Sequence, residues 1–411
     1  QTEKFIHNLA TVEMIDGMHD QRLKMAVSEK IKGFMEQSSW IRRMFEDGVR
    51  MKQEFGADRV YDFSLGNPNI APPECFRKIL KEVGDEEFPG CHGYMPNAGF
   101  METRAAVAAH VGAEQGVPLT AAHIVMSCGA AAALNVVLKT LLNPGEKVIV
   151  PAPYFAEYRF YIDNAGGVMC PVPTAEDLSL DDEVMEWALD LNPGVKAVLI
   201  NSPNNPTGKV YSKENLAGLI EVLTEKSRAR GREIYLIADE PYRDIVYDGV
   251  RPPQVLSAYP NSIVVSSYSK SLSLPGERIG YIAVHPEITP LAEIMDGMVL
   301  CNRILGFVNA PALMQRVVAR LQGARVDVDA YRRKRDLLCD GLTAQGYTVY
   351  RPEGAFYLFP KTPLEDDVAF VRLLQKKRIL AVPGIGFGRP GHMRIAYCVG
   401  DETILDRKSV V

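Results

Sequence analysis

Short apolar runs closed by turn residues recur through the middle of the chain, and between them apolar positions return at helical spacing. The runs at 123–129, 147–150, 168–172, 195–201, 233–239, 262–267 and 278–284 read as strands. The run at 262–267 has the character of a strand buried on both faces. Residues 130–142, 157–164, 181–191 and 212–230 read as helices, with Ser212 placed to cap the last of them. Strands alternating with helices predict an α/β fold, a mostly parallel sheet covered by helices.

The flanking regions follow a different pattern. Residues 28–45 and a following piece to Phe55 have helical spacing, and 61–66 reads as a short strand ending at Gly66-Asn67-Pro68. A loop over 92–99 precedes a helix over 101–111. After Pro286 helical patterning takes over through Leu321 and again over 327–345. Short strands at 347–350, 355–359, 379–382 and 392–397 then surround a helix over 367–377. This predicts a second, smaller α+β domain shared with the N-terminal helices. The expected division is an arm over 1–27, helices joining the small domain over 28–60, a large domain over 61–300 and the small domain over 301–411. A chain of 411 residues exceeds the usual single core, which agrees with two domains.

Composition narrows the function classes. The net charge is -5 with both signs dispersed, and no Lys/Arg cluster supplies a nucleic-acid or membrane footprint. Seven cysteines, scattered from Cys75 to Cys398 without a Cys-x-x-Cys pair, suggest neither a disulfide framework nor a zinc site, so a reducing cytoplasm is expected. No apolar run reaches the ~18 residues of a membrane helix, and the N-terminus lacks the apolar core of a signal peptide. Cys91 and His92 have no companions at metal-ligand spacing, so no metal is expected.

The chemistry concentrates around Ser267 to Tyr281, which reads Ser-Tyr-Ser-Lys-Ser-Leu-Ser-Leu-Pro-Gly-Glu-Arg-Ile-Gly-Tyr. Lys270 is expected on a loop between two buried strands, where desolvation disfavours its charge and leaves a nucleophilic amine. Ser267, Ser269 and Arg278 around it suit an anion such as a phosphate ester. Gly129-Ala130-Ala131 sits where a strand turns into a helix, so backbone N–H groups and the helix dipole face any bound phosphate. Asn201-Ser-Pro-Asn-Asn-Pro-Thr-Gly208 has two X-Pro steps and a closing glycine that hold one non-helical shape and fix Asn205 as a directed amide. Asp239 ends a purely apolar run, where a carboxylate is costly unless paired. Gly66 suits either close approach of the backbone to a ligand or an ordinary turn.

These stretches, in this order, resemble the class I/II aminotransferases, the fold type I enzymes that depend on pyridoxal phosphate. The likeness runs from about Ser28 to Asp401. It implies a seven-stranded sheet in the large domain and a homodimer. It implies that Lys270 holds the cofactor as an internal aldimine and that Asp239 pairs with the protonated pyridine nitrogen. Asn205 and Tyr242 share the phenolic oxygen in that family, and Phe155 stacks on the ring, with Tyr154 the lesser candidate. Gly129, Ala130, Ala131, Ser267, Ser269 and Arg278 hold the phosphate; relatives often add a second glycine, a hydroxyl or an amide at the alanines, so here only backbone donors remain. Tyr94 reaches the partner subunit's phosphate, while Gly66, Asn205 and Arg394 meet the substrate, Arg394 gripping its α-carboxylate. An interdomain salt bridge is the other use for Arg394. Glu240 is read as solvent-facing or structural.

The activity implied is ping-pong transfer of an amino group from an amino acid to a 2-oxo acid. The same motifs serve carbon–sulfur lyases and decarboxylases. A cofactor-sensing module beside a DNA-binding domain would need a basic helix-turn-helix, which the mixed charges of the first sixty residues do not supply. Arg303 lies near where some relatives contact the substrate side chain, though a surface or interface position is the stronger reading.

Overall fold

A computed structural model describes residues 26–36 and 40–405. The arm expected over 1–27 falls almost wholly outside the described residues. The first strand, β1 (Tyr61–Asp62), belongs to the smaller part of the molecule. The next seven form the main sheet: β2 (Ile124–Ser127), β3 (Lys147–Ala152), β4 (Val168–Pro173), β5 (Val195–Asn201), β6 (Tyr235–Asp239), β7 (Ser262–Ser267) and β8 (Gly280–Val284). Their order is β2-β8-β7-β6-β5-β3-β4. Neighbours from β7 to β4 are parallel, and β8 alone runs against the rest.

Strand periodicity divides the side chains between two apolar layers. On β6, Tyr235 and Ile237 enter one layer while Leu236 and Ala238 enter the other. Helices Ala130–Leu141 and Leu291–Ile304 cover the first face through Leu134, Leu138 and Met298. Helices Met101–Gln115, Asp182–Leu191 and Lys213–Arg230 cover the second through Val107, Leu189 and Leu219. Each fully buried aliphatic side chain contributes about 1.5–3 kcal/mol, so the strands are committed to these two layers and their polar residues gather at the ends.

The smaller part is built on β1, which pairs in parallel with β10 (Ile379–Leu380), and on a three-stranded antiparallel sheet of β11 (Val382–Pro383), β12 (Met393–Ala396) and β9 (Tyr357–Leu358). Helices Val328–Ala344 and Asp367–Lys376 supply Tyr331, Leu342 and Leu374 to its separate core, which also takes in Tyr242 and Ile245 from the loop after β6. Met44 of helix Trp40–Phe55 joins this core. Helix Glu29–Glu36 lies on helix Tyr158–Asn164, with the Phe34 and Phe160 ring centroids 5.0 Å apart and a Lys30–Asp163 ion pair of 2.5 Å.

Local differences from the sequence reading have identifiable causes. Ser212 caps its helix as expected, accepting from Asn215 N at 3.1 Å. The strand read over 61–66 stops at Asp62, because the Asp62 carboxylate takes the Ser64 N–H at 3.1 Å in place of a strand partner. The strand read from Arg278 begins at Gly280, since Arg278 adopts a left-handed conformation with φ of 51°. No strand forms at 347–350. Lys270 lies on a short helix, Tyr268–Ser271, rather than a loop. Helix Glu74–Gly84 was not read, although Phe76, Ile79, Leu80 and Val83 have helical spacing.

Gly280 is where β8 meets the turn after β2, and a Cβ there would lie 2.5 Å from Ser266 O and 2.9 Å from Gly129 Cα. Gly280→Ala is therefore expected to cost about 1–3 kcal/mol through backbone displacement, read as a lower urea midpoint at unchanged slope. Gly276→Ala, with nothing within 4 Å, should leave the midpoint unmoved.

Candidate active site

A cleft of about 280 Å³ opens at the carboxyl edge of the main sheet, closed on its far side by Tyr357 and Arg394 of the smaller part. The parallel strands bring the polar residues together there: Asn201 ends β5, Asp239 ends β6 and Ser267 ends β7. Open α/β sheets place ligands at this edge.

Asp239 is 5% exposed. Its Oδ2 accepts from the Tyr158 hydroxyl at 2.5 Å, and its Oδ1 has no hydrogen-bond partner in the protein. Burial pushes its pKa up to about 7; the Tyr158 hydrogen bond opposes that shift and Glu240 adds to it. The backbone of Asp239 is fixed by Asn201, whose Nδ2 donates to Asp239 O at 2.8 Å. A buried carboxylate with one open oxygen calls for a cationic donor in the cleft.

Lys270 Nζ faces the same space and donates to Gly66 O at 2.8 Å. It stands 5.5 Å from the Phe356 ring centroid and 5.9 Å from that of Tyr242. Burial draws its pKa down to about 8, Cys398 opposes the shift, and Arg394 and Arg278 reinforce it. About a tenth of the amine is thus neutral and nucleophilic at pH 7, and about half near pH 8. The Tyr242 hydroxyl meets that of Tyr357 at 2.8 Å. Gly66 packs against the same residue so closely that a Cβ would fall 1.9 Å from Tyr357 Oη, so the glycine accommodates this side chain of the protein itself.

The loop after β5 holds its shape through side chains. Asn204 Oδ1 accepts from Thr207 N at 3.1 Å and Thr207 Oγ1 at 2.8 Å, and Asn205 N donates to Asn201 Oδ1 at 2.7 Å. Asn205 Oδ1 accepts from Arg394 Nη1 at 3.0 Å. Arg394 is 2% exposed, donates from Nη2 to Ser64 O, and lies 4.8 and 4.9 Å from the ring centroids of Tyr357 and Phe387. Its Nε has no partner. The cation is seated by an amide, a carbonyl and two rings, with no carboxylate among these contacts.

At the other end of the cleft, Ala130 and Ala131 open helix Ala130–Leu141, and Gly129 before them has φ of 86°. A Cβ at Gly129 would lie 2.8 Å from Arg278 Nη2, so glycine lets the guanidinium close on the helix N-terminus. Ser267 and Ser269 complete this end. Backbone N–H groups, two hydroxyls and an arginine are donors of the kind an anion would need.

Phe155 lines the cleft, whereas Tyr154 turns away to pack on Gly388. Tyr94 is 94% exposed and Arg303 is also exposed; neither lines the cleft of this chain. Glu240 is buried rather than solvent-facing, accepting from Gln115 Nε2 at 2.9 Å and Arg243 Nη1 at 3.1 Å. Sequence reasoning did not single out Tyr158, Tyr161 and Tyr357, which it placed only within a predicted helix and a predicted strand. The faint signal was the spacing of Tyr158 and Tyr161 after Phe155, which returns them to the same side of one helix.

The carboxyl of Asp239 titrates near 7 in the folded protein and near ~3.9 in an unfolded chain. Between those values the folded state binds more protons, so stability falls as pH rises through this window, and the cost is complete above it. Asp239→Asn should therefore raise the thermal midpoint of the ligand-free protein at about pH 8 relative to wild type, and lose that advantage at about pH 4. Equal differences at both pH values would contradict the assigned ionisation.

The family model for aminotransferase class I and II matches residues 58–407. An aspartate/prephenate aminotransferase of Thermus thermophilus is 32% identical over 355 residues, 85% of this chain and 89% of its own. An aromatic-amino-acid aminotransferase of Thermococcus litoralis is 29% identical, covering 92% of this chain and 96% of its own. Among solved structures, an amino transferase of Eubacterium rectale superposes with a TM-score of 0.89 at 41% identity, covering 93% of this chain and 97% of that one. The aspartate aminotransferase of Thermus thermophilus with maleate gives 0.81 at 28% identity, covering 93% and 98%. The chain thus belongs to the class I and II aminotransferases, whose members depend on pyridoxal phosphate.

Proposed function

We propose that the protein transfers an amino group from an L-amino acid to a 2-oxo acid in two half-reactions, the first oxo acid leaving before the second binds. The observation that carries this reading is the opposition, in one cleft, of a lysine amine with its pKa drawn down and a buried carboxylate with one open oxygen. Both fit pyridoxal phosphate: the amine suits its aldehyde, and Asp239 Oδ1 suits its protonated ring nitrogen. Arg278, Gly129 and the N-terminus of helix Ala130–Leu141 suit its phosphate. When bound, pyridoxal phosphate supplies a carbonyl that carries the amino group and a ring that draws electrons from the substrate α-carbon.

The remaining roles belong to side chains. Asp239 keeps the ring nitrogen protonated, and Phe155 stacks on the ring. Asn205 and Tyr242 hold its phenolic oxygen, while Ala130, Ala131, Ser267 and Ser269 flank the phosphate. Lys270 Nζ, neutral in part near pH 8, removes the proton from the substrate α-carbon. Arg394 exchanges its contacts with Asn205 and Ser64 for the substrate α-carboxylate, a two-point match that its planar donors favour. Gly66 lends backbone to the same pocket. Seven cysteines, all free, accord with a reducing compartment. Among the described residues no helix is long and apolar enough to cross a membrane.

The working unit in this reading is a homodimer in which Tyr94, exposed in one chain, reaches the phosphate of the neighbour. Mixing Lys270→Ala protein with Tyr94→Ala protein, each inactive or impaired alone, should then restore turnover. The hybrid holds one site with both residues intact. No recovery on mixing would confine Tyr94 to its own chain.

The direct test is the absorbance spectrum of the loaded protein with single amino acids and no oxo acid. Conversion of the visible band to the near-ultraviolet band of pyridoxamine phosphate, with release of the matching oxo acid, is expected. Lys270→Ala should abolish it while keeping the fold. Release of ammonia or carbon dioxide with the visible band retained would move the protein to the lyases or decarboxylases.

A further inference from the structure

We infer that Tyr161 is a further cofactor-binding residue, its hydroxyl donating to the phosphate at the anion end of the cleft. The inference rests on the reading of Arg278 and helix Ala130–Leu141 given above and extends it to a side chain of the neighbouring helix. Tyr161 is half-buried and lines the cleft together with Ala130, Ala131 and Arg278. Among the described residues its hydroxyl has no hydrogen-bond partner. A phenol that reaches a cleft with its donor unused is open to a ligand there.

The packing of two helices puts it there. Asn164 Nδ2 donates to Asn135 Oδ1 at 3.3 Å, and Asn135 Nδ2 donates to Ala131 O at 2.9 Å, so helix Tyr158–Asn164 is tied to helix Ala130–Leu141 one turn in from the cleft. A step of three or four residues stays on one helix face. Taken back from Asn164 it reaches Tyr161, and taken back from Asn135 it reaches Ala131, so the tyrosine comes to the cleft beside the alanine. The first turn of helix Ala130–Leu141 is all alanine and carries no side-chain donor. The longer side chain of the next helix thus supplies a hydroxyl where this helix offers only methyl groups. Burial raises the phenol of Tyr161 above its ordinary range, Glu157 and Asp239 add to the rise and Arg278 opposes it, so the hydroxyl keeps its proton and stays a donor. Asp239 and Arg278 acting with opposite sign put the phenol within electrostatic reach of both ends of the cleft.

The test compares Tyr161→Phe, Arg278→Ala and wild type, each stripped of cofactor and titrated with pyridoxal phosphate and with pyridoxal, which lacks the phosphate. Tyr161→Phe should weaken binding of pyridoxal phosphate about ten- to hundredfold, the worth of one hydrogen bond to a charged group, and leave that of pyridoxal unchanged. Arg278→Ala should narrow the preference for the phosphorylated compound at least as far. Ala131→Ser added to Tyr161→Phe should recover part of the lost affinity, because it returns a hydroxyl to the same end of the cleft. Tyr161→Leu serves if the phenylalanine variant does not fold. A tyrosine that only packs would lower the thermal midpoint and leave the ratio of the two affinities unmoved. That unchanged ratio in Tyr161→Phe, beside its loss in Arg278→Ala, would overturn the role of Tyr161 alone. A wild type that prefers neither compound, or an Arg278→Ala variant that keeps the preference, would overturn the placement of the phosphate and this inference with it.

Discussion

A sheet with helices on both faces has nowhere to put a charge except its ends. The buried positions between the ends of β5, β6 and β7 are taken by aliphatic side chains or small residues, so the polar groups these strands carry gather toward the strand ends. Because the three are parallel, they stop on the same side. The meeting of Asn201, Asp239 and Ser267 is therefore a consequence of strand direction and of the cost of burying polar groups, before any catalytic requirement is considered.

The cleft that results has an uneven charge. Among the described residues that line it, Lys270, Arg278 and Arg394 are basic and Asp239 is acidic. The imbalance is written into the lysine, whose pKa is drawn down first by burial and then by the two arginines. In the proposed reading, a ligand bearing a phosphate and a carboxylate would relieve that field, and a positive ring nitrogen would relieve Asp239. Arg394 is held by a side-chain amide, a carbonyl and two aromatic faces, none of them a full counter-charge.

Much of this was legible in the sequence because the informative residues interrupt patterns. Asp239 and Lys270 stand out as charges at the ends of apolar runs, and the prolines and glycine around Asn205 announce a rigid loop. The alternating runs gave the α/β architecture, and Ser212 gave a helix boundary. What escaped was polar chemistry carried by residues that also satisfy the apolar pattern. Tyr158 and Tyr357 are 1% and 2% exposed and pack as core, and only coordinates reveal that their hydroxyls meet Asp239 and Tyr242. Backbone detail escaped for a different reason. The left-handed conformation of Arg278 and the early end of β1 depend on neighbours distant in sequence, or on a side chain competing for one N–H group.

The contact between Gly66 and Tyr357 also bears on how this sequence can change over generations. A methyl group at position 66 would overlap the hydroxyl of Tyr357 and approach two of its ring carbons within 2.8 Å. Loss of the hydroxyl alone does not clear the space, so any larger residue at 66 must be preceded by a smaller one at 357. The two substitutions are separated by 291 positions in the chain yet are accessible in one order only, and the first step removes the partner of Tyr242. Descendants that keep the tyrosine therefore keep the glycine: Tyr357 holds Gly66 in place, and Tyr357 itself answers to Tyr242.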